Sequence, residues 1–397
     1  MAAVQAPETS TERPPRPPIR FDRNEWAGAI GDLGTDLPLL VGMILATDLQ
    51  PANVLTMFGV MQILTGVVYR LPMPVQPLKA IAAIVIAGKV SSSLIFGAGL
   101  ALGICVLLLA VLGLLDWFGK VVPKCVVRGI QVGLGLQLAN VALKEFVLVG
   151  AWTNYALAAV GAFVALALLG NRRLPAGLVL LVIGVLVGGV ALTQSSDTVP
   201  FRFHLPTWQT PSASDIITGF LVLGLAQLPL SLANSLLATR QLIEDYFPDR
   251  RISLRKIGMT YGAMNVICPF FGGVPVCHGS GGMAGHYTFG GRTGGSVIVY
   301  GSAFLVVGLF FSDGFAALAH HFPPAILGVL LFFEGMALML LVRDVAAQSP
   351  RRELPITILV ALLASGVPRY GYLLGLGVGL ALFYALRLGW RGWDRGE

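Results

Sequence analysis

The sequence has little charge. Asp, Glu, Lys and Arg together make up 12% of its 397 residues, whereas 55% of the residues are hydrophobic and the mean hydropathy is +0.78. A soluble domain carries about 25% charged residues, so a chain this poor in charge does not cover a water-exposed surface. This composition excludes a soluble globular protein and predicts an all-α integral membrane protein that faces lipid over most of its surface.

Motifs for cofactors, metals and catalysis are also missing. The four cysteines show no C-x-x-C spacing, which argues against a disulfide framework or a metal site. Residues 279–284 have the G-x-G-x-x-A spacing of a dinucleotide-binding turn. That fingerprint also needs a soluble βαβ unit and an acidic residue about 20 positions later, and neither is present. No nucleophile–His–acid arrangement indicates an enzyme. We therefore expect no cofactor, no metal and no catalytic residue.

The apolar segments that cross or half cross a bilayer number about 14, in two groups of seven. The first group is 27–48, 52–69, 75–88, 92–115, 126–143, 153–169 and 174–193; the second is 216–240, 253–271, 276–289, 295–312, 323–342, 354–367 and 370–387. The first 25 residues are rich in Pro and Arg and lack the apolar core of a signal peptide. The predicted organisation is a flexible cytoplasmic tail at 1–25, a first repeat at 26–193, an extracytoplasmic linker at 194–215, a second repeat at 216–388 and a cytoplasmic tail at 389–397.

Basic residues set the predicted orientation. With the N-terminus inside, the cytoplasmic side receives all but five of the 27 Lys and Arg residues, the exceptions being Lys79, Lys89, Lys144, Arg202 and Arg369. The net charge of +7 is therefore a topology signal, and it does not indicate nucleic-acid binding. Both termini are predicted to be cytoplasmic in a multi-pass protein of the cell (inner) membrane.

The two groups of segments resemble each other. Three pairs of prolines recur in the same order at offsets of 191, 201 and 200 residues: Pro38 with Pro229, Pro74 with Pro275, and Pro123 with Pro323. An odd number of spans per repeat inverts the second copy, and inverted repeats are typical of secondary transporters. We predict two inverted seven-segment repeats.

The third and tenth segments are too short to cross. Each has about 14 residues, against about 20 for a full crossing, and each begins at a proline deep in the membrane. We predict two half-helices whose N-termini converge, each offering unpaired N–H groups and roughly +0.5 of a charge. The glycines at 279, 281 and 282 leave bare backbone for a ligand, whereas Gly285 serves helix packing.

Polar residues near the half-helices form the predicted substrate site. Backbone N–H groups of 76–79 and 278–281 contribute, and the predicted binding residues are Thr35, Gln76, Pro77, Lys79, Gln227, Cys277, His278, Gly279, Ser280 and Gly281. An intramembrane cation such as Lys79 is a functional hypothesis by default. Lys79 either neutralises a substrate anion or pairs with Asp32 or Asp36.

Four stretches carry a family resemblance: "GAIGDLGTDLPLL" (28–40), "PMPVQPLKAIAA" (72–83), "QLPLSLANSLLA" (227–238) and "GVPVCHGSGGMAGHYTFGGRTG" (273–294). On these motifs the chain resembles the molybdate transporter family, distantly related to the sulfate permease family, from about residue 26 to about residue 388. The family lacks the soluble C-terminal regulatory domain common in sulfate permeases, and we expect none here. Asp36 replaces a usual aromatic, His286 a usual Gln, and Leu78 a usual Met.

The resemblance implies a uracil-permease-like fold. Segments 1–4 and 8–11 would form a core domain, segments 5–7 and 12–14 a gate domain, and the substrate would lie between the half-helices of segments 3 and 10. It also implies an elevator-type movement of the core, and a homodimer.

We therefore predict a secondary transporter that is surrounded by membrane lipid and imports a tetrahedral oxyanion. Molybdate is the predicted substrate. Import of a dianion into a negative interior needs a co-transported proton or cation, or steep capture inside. The candidates for coupling or charge balance are Asp32, Asp36, His286 and Glu334. The alternatives are a sulfate, tungstate or nucleobase transporter of the same fold, or an anion channel. A nucleobase site would favour a carboxylate on segment eight, which carries amides and hydroxyls instead.

Overall fold

The computed structural model describes residues 18–171, 174–195, 201–368 and 370–389, and these are mostly helical. The helices of the first half are α1 Arg23–Ala29, α2 Leu33–Ala46, α3 Pro51–Tyr69, α4 Lys79–Gly88, α5 Ser92–Val111, α6 Leu115–Val121, α7 Lys124–Val141, α8 Trp152–Ala167 and α9 Ala176–Gln194. Those of the second half are α10 Ala213–Gly219, α11 Leu225–Leu230, α12 Ala238–Tyr246, α13 Leu254–Ile267, α14 Ser280–Thr288, α15 Gly295–Phe310, α16 Ser312–His321, α17 Pro324–Leu340, α18 Arg343–Gln348, α19 Glu353–Gly366 and α20 Gly371–Gly389. Two strands, β1 Val75–Pro77 and β2 Val276–His278, complete the elements used below.

Several helices are long and apolar enough to cross a membrane. Within the described ranges there are eight by length and composition, or nine if α15 and α16, which meet at 95°, are one bent span. Three shorter apolar helices, α4, α8 and α19, fall at the positions of predicted segments. Large apolar side chains such as Phe163 and Leu186 point outward, as a lipid-facing surface requires. The protein is a multi-pass membrane protein, and the count of fourteen segments stays a prediction.

The two predicted half-helices start later than expected, because a short antiparallel sheet precedes them. In β1 and β2, Val75 lies opposite His278, Gln76 opposite Cys277, and Pro77 opposite Val276. The helices α4 and α14 begin only at Lys79 and Ser280. A proline disfavours helix in the residue before it and cannot donate a hydrogen bond, which keeps the chain at Gln76–Pro77 extended. The expectation of a purely α-helical fold is wrong at these two places.

Each strand is held by a buried side-chain amide on its outer edge. The Gln62 side chain of α3 donates to the carbonyl of Val75 at 2.6 Å and accepts from its N–H at 2.9 Å. The Asn265 side chain of α13 makes the same pair of bonds, at 2.6 and 2.9 Å, with Val276. Because a buried backbone polar group is costly without a partner, these two amides make irregular backbone tolerable at this depth.

Helix packing follows a matching pattern in the two halves. Helix α3 packs along α15, and α5 packs along α13. Helix α7 packs against both α17 and α19, and α8 also lies against α17. The strands and half-helices are thus enclosed by helices from both halves of the sequence.

Part of the predicted flexible tail at 1–25 is folded. Residues 1–17 and 390–397 lie outside the described residues, but α1 begins at Arg23 and Glu25 is buried. The Glu25 carboxylate accepts 2.9 Å hydrogen bonds from the backbone N–H groups of Thr293 and Ser296, at the start of α15. A carboxylate at a helix N-terminus is stabilising, so this part of the predicted tail belongs to the packed body. Most of the predicted linker at 194–215 is described; residues 196–200 are not.

Candidate functional site

A cavity of about 290 Å³ opens where the N-termini of α4 and α14 approach each other. It lies beside the two strands and is closed on one side by α17. Eight predicted residues line it: Gln76, Lys79, Gln227, Cys277, Gly279, Ser280, Gly281 and Glu334. Asn234 and Ser235, which are not among the predicted site residues, also line it. We call this space the half-helix cavity.

Strand geometry decides which of the neighbouring residues reach the cavity. Successive side chains of a strand point to opposite faces. Gln76 and Cys277, which face each other in the sheet, both line the cavity. Pro77 and His278 are buried but do not line it. The ring of His278 instead lies 2.7 Å from the Thr260 hydroxyl and packs edge-on against Tyr69. His278 therefore contributes backbone to this region and its side chain supports the strand from behind.

The glycines at the start of α14 have different surroundings. At Gly281 an added β-carbon would meet nothing within 4 Å, so this backbone is open to the cavity. At Gly279 it would collide with the Gln76 side chain, and at Gly282 with the Asp32 carboxylate. At Gly285 it would meet the carbonyl of Gly31, as the helix-packing prediction for this residue requires.

Lys79 pairs with an acid from a distant helix. Its ammonium nitrogen lies 2.5 Å from Oε1 of Glu334 on α17, with about a third of the lysine side chain exposed. The prediction of Asp32 or Asp36 as the partner is wrong. Lys79 is the first residue of α4, where a cation is disfavoured by the helix dipole. A neighbouring anion is therefore needed, and Glu334 supplies it here.

Gln227 caps α4. Its side-chain oxygen accepts a 2.9 Å bond from the Ala80 N–H, and its side-chain nitrogen donates to Ser231 at 3.1 Å. The Ser231 hydroxyl in turn meets the Tyr261 hydroxyl at 2.7 Å. Gln227 was predicted to donate to the substrate, but its side-chain oxygen and one of its two amide N–H groups are already used in this network. Because the Ala80 N–H at the start of α4 is already hydrogen-bonded, the N-terminus of α14 is the more accessible of the two helix N-termini.

The candidate coupling acids on α2 have partners of their own. The Gln76 side-chain nitrogen donates to both carboxylate oxygens of Asp32, at 2.7 and 2.9 Å. The Tyr300 hydroxyl donates to Asp36 at 3.1 Å, and the Tyr300 ring packs edge-on against His286. Asp36 Oδ1 and both ring nitrogens of His286 are buried with no hydrogen-bond partner in the described chain. Tyr300 was not predicted, because an aromatic residue in an apolar helix carries no distinguishing signal.

Thr35 does not reach the half-helix cavity. It lines a second cavity of about 270 Å³ between α2, α9 and α17. Glu334 and Ala337 line both cavities. The structure thus brings eight of the fourteen predicted residues to one cavity, seven of the ten binding residues and one of the four coupling residues, and Glu334 also lines the cavity at Thr35.

Comparison with known proteins identifies similar sequences. A family model described as "Molybdate transporter of MFS superfamily" matches residues 24–138 and 219–338. Molybdate transporter 2 of Arabidopsis thaliana is 31% identical, covering 92% of this chain and 87% of its own. Molybdate transporter 1 of Chlamydomonas reinhardtii is 28% identical, covering 96% of this chain and 95% of its own.

Comparison with solved structures identifies a shared fold. The transmembrane domain of the cyanobacterial bicarbonate transporter BicA superposes with a TM-score of 0.68 at 18% identity, over 90% of this chain and 97% of that one. The murine Solute Carrier 26 family member A9 anion transporter, in its inward-facing state, gives 0.66 at 13% identity, over 92% and 68%.

Proposed function

Because this chain belongs to the molybdate transporter family, we propose that it is a secondary transporter that imports a tetrahedral oxyanion, molybdate, across the cell membrane. Its relatives are named molybdate transporters rather than enzymes. The fold that it shares with anion and bicarbonate transporters is compatible with this activity.

The observation that carries the proposal is the composition of the half-helix cavity. Ser280 and Gly281 place N-terminal amide groups of α14 and one hydroxyl at its wall, and Lys79 adds an ammonium group. The first amides of a helix have no acceptor within the helix and attract anions. Four oxygens of a tetrahedral dianion would be held by these donors, while Gln76 and Cys277 shape the wall. Pro77, His278 and Gly279 set the path of the backbone beside the cavity. Gln227 orients α4.

Charge requires a second transported species. Moving a dianion inward against a potential of 100 mV costs roughly 4.6 kcal/mol, twice the value for a single charge. We propose that a proton or another cation accompanies the oxyanion. Asp32, Asp36, His286 and Glu334 are the titratable groups placed to carry it.

We also propose that the two halves are inverted repeats, an arrangement typical of secondary transporters that would suit an elevator mechanism. Gln62 and Asn265 make equivalent bonds to equivalent strands, and the packing of α3 on α15 matches that of α5 on α13. We propose a core formed by β1, β2, α1–α5 and α10–α15, and a gate formed by α7–α9 and α17–α20. The core would carry the substrate past the gate, in a homodimer with both termini cytoplasmic.

Binding to the purified protein tests the function. We expect molybdate to bind more tightly than sulfate, uracil not to bind, and Lys79→Ala to weaken molybdate binding at least tenfold, about 1.4 kcal/mol. Equal binding of molybdate and sulfate would reduce the claim to a general oxyanion transporter. Binding of uracil alone would overturn it. Uptake into vesicles that fails to saturate with concentration would indicate a channel.

A further inference from the structure

The ion pair between Lys79 and Glu334 occupies the place where a substrate anion would bind. Both side chains line the half-helix cavity, and the ammonium and carboxylate groups are 2.5 Å apart. Lys79 is the cation at the start of α4, and Glu334 comes from α17, across the cavity. The protein thus holds one of its own carboxylates against the positive end of a half-helix.

We propose that the oxyanion displaces the Glu334 carboxylate from Lys79 and that the released carboxylate takes up one proton. This inference rests on the proposed function and deepens it, since it names the group that couples the proton to the substrate. An oxyanion that binds the Lys79 ammonium competes with the Glu334 carboxylate for its N–H donors. A carboxylate left beside a dianion in a cavity of about 290 Å³ is destabilised in its charged form by the like charge.

The charges balance in both states. Without substrate, Lys79 and Glu334 form a neutral pair. With substrate, the dianion faces the Lys79 ammonium and the partial positive charges of the two helix N-termini, each roughly +0.5. The proton comes from the bulk solution through water that enters the cavity, and no covalent bond of the oxyanion changes.

Glu334 is better placed for this role than the other buried acids. Its side chain is 18% exposed and lines the cavity, so water can reach it. Asp32 keeps its two bonds from Gln76, and Asp36, which accepts a bond from Tyr300, does not line the cavity. Substrate at Lys79 removes the partner of Glu334 and leaves the partners of Asp32 and Asp36 in place.

The titratable groups around Glu334 come from few elements. Lys79 faces it from α4, and Cys277 lines the same cavity from β2. Asp32 directly precedes α2, and Asp36 lies in the first turn of that helix. On α7, which packs against α17, Lys124 and Arg128 bond to Asp344 instead. Lys144 and Glu145 lie in the π-helical turn that follows α7, and Glu145 pairs with Lys89. Helix α9 carries no titratable side chain.

Proton uptake on substrate binding tests the proposal. The purified full-length protein is mixed with molybdate near neutral pH in weak buffer containing a pH indicator, and bound molybdate is measured in parallel. We expect about one proton per molybdate in the native protein. In Glu334→Gln we expect no proton uptake and a molybdate affinity raised about tenfold, since Lys79 loses its internal competitor.

Control variants separate this role from a structural one. Glu334→Asp keeps a carboxylate and should retain proton uptake. Asp32→Asn and Asp36→Asn test the two other acids proposed as carriers, and loss of uptake in either variant alone would assign the proton to that acid. Thermal unfolding with and without molybdate checks folding, and Glu334→Gln should gain more stability from molybdate than the native protein does. Molybdate binding without proton uptake in the native protein would overturn this inference and leave the proposed function standing. Unchanged uptake in Glu334→Gln, or its loss in Asp36→Asn alone, would also overturn it. Absence of any oxyanion binding would overturn both.

Discussion

At the scale of the residue, the glycines of α14 distinguish ligand access from helix packing. Gly281 and Gly285 are four positions apart on the same helix. A β-carbon at Gly281 has open space, whereas one at Gly285 meets the backbone of Gly31. An alanine at position 281 should therefore affect access of a ligand, whereas an alanine at position 285 should disturb helix packing.

We predict that Gly281→Ala folds normally and impairs binding. The added methyl group lies in the half-helix cavity beside the proposed anion donors, so molybdate affinity should fall about tenfold or more, while thermal stability in detergent stays within about 0.5 kcal/mol of native. Equilibrium binding and thermal unfolding measure the two effects.

Gly285→Ala is the matched comparison. Its methyl group forces α14 away from Gly31, which should cost about 1–3 kcal/mol of stability, as overpacking does elsewhere. If Gly281→Ala binds molybdate normally, the open face of α14 is not the anion site.

Individual residues also show which features of the site could be predicted from the sequence and which could not. The sequence predicted the importance of Lys79, because a cation in an apolar segment is unusual. It did not predict Glu334 as the partner, since the two are 255 residues apart and only helix packing decides which of several acids meets the ammonium group. His278 was assigned to the site because residues 276–279 were taken as helical, whereas strand alternation turns its side chain away.

At the scale of the element, the two short strands depend on side-chain amides. Gln62 and Asn265 each satisfy one N–H and one carbonyl group that neither sheet nor helix would satisfy. Their equivalent places in the two halves are what the proposed internal repeat requires.

We predict that Gln62→Leu and Asn265→Leu destabilise the protein by similar amounts. Each leaves a buried N–H and a buried carbonyl without a partner, at about 1–3 kcal/mol per group, or about 2–6 kcal/mol in total. Chemical or thermal unfolding in detergent measures the change. Gln194→Leu, at an exposed glutamine at the end of α9, is the control and should change stability by less than about 0.5 kcal/mol.

The two half-segments were predictable as elements, but their internal structure was not. Short length and a leading proline indicated a break in the membrane, and α4 and α14 occupy the expected places. The strands could not be predicted from the sequence, because three residues are too few to show the two-residue alternation of a β-strand. Their stability comes from partners about 200 residues away.

At the scale of the whole molecule, three cavities of the described chain lie between the proposed core and gate. The half-helix cavity joins core residues to α17, and the Thr35 cavity joins α2 to α9 and α17. A third cavity, about 410 Å³ in volume, lies between α4 and α10 on one side and α19 on the other. Close-packed interiors leave few voids, so this distribution fits two bodies that slide past each other.

We predict that molybdate changes distances between the core and the gate and leaves distances within the core unchanged. Spin labels on cysteines at Arg255, in the core, and Arg351, beside the gate helix α19, should change their separation by about 5 Å or more, roughly one helical turn.

Labels at Ser91 and Arg255, both in the core, are the control pair and should keep their separation. All three positions are exposed. The native cysteines are buried except for the half-buried Cys105, which is replaced by serine. Pulsed electron resonance with and without molybdate measures both pairs. A constant Arg255–Arg351 distance at saturating molybdate would contradict an elevator movement triggered by substrate, and a change in both pairs would show that the proposed core does not move as one body.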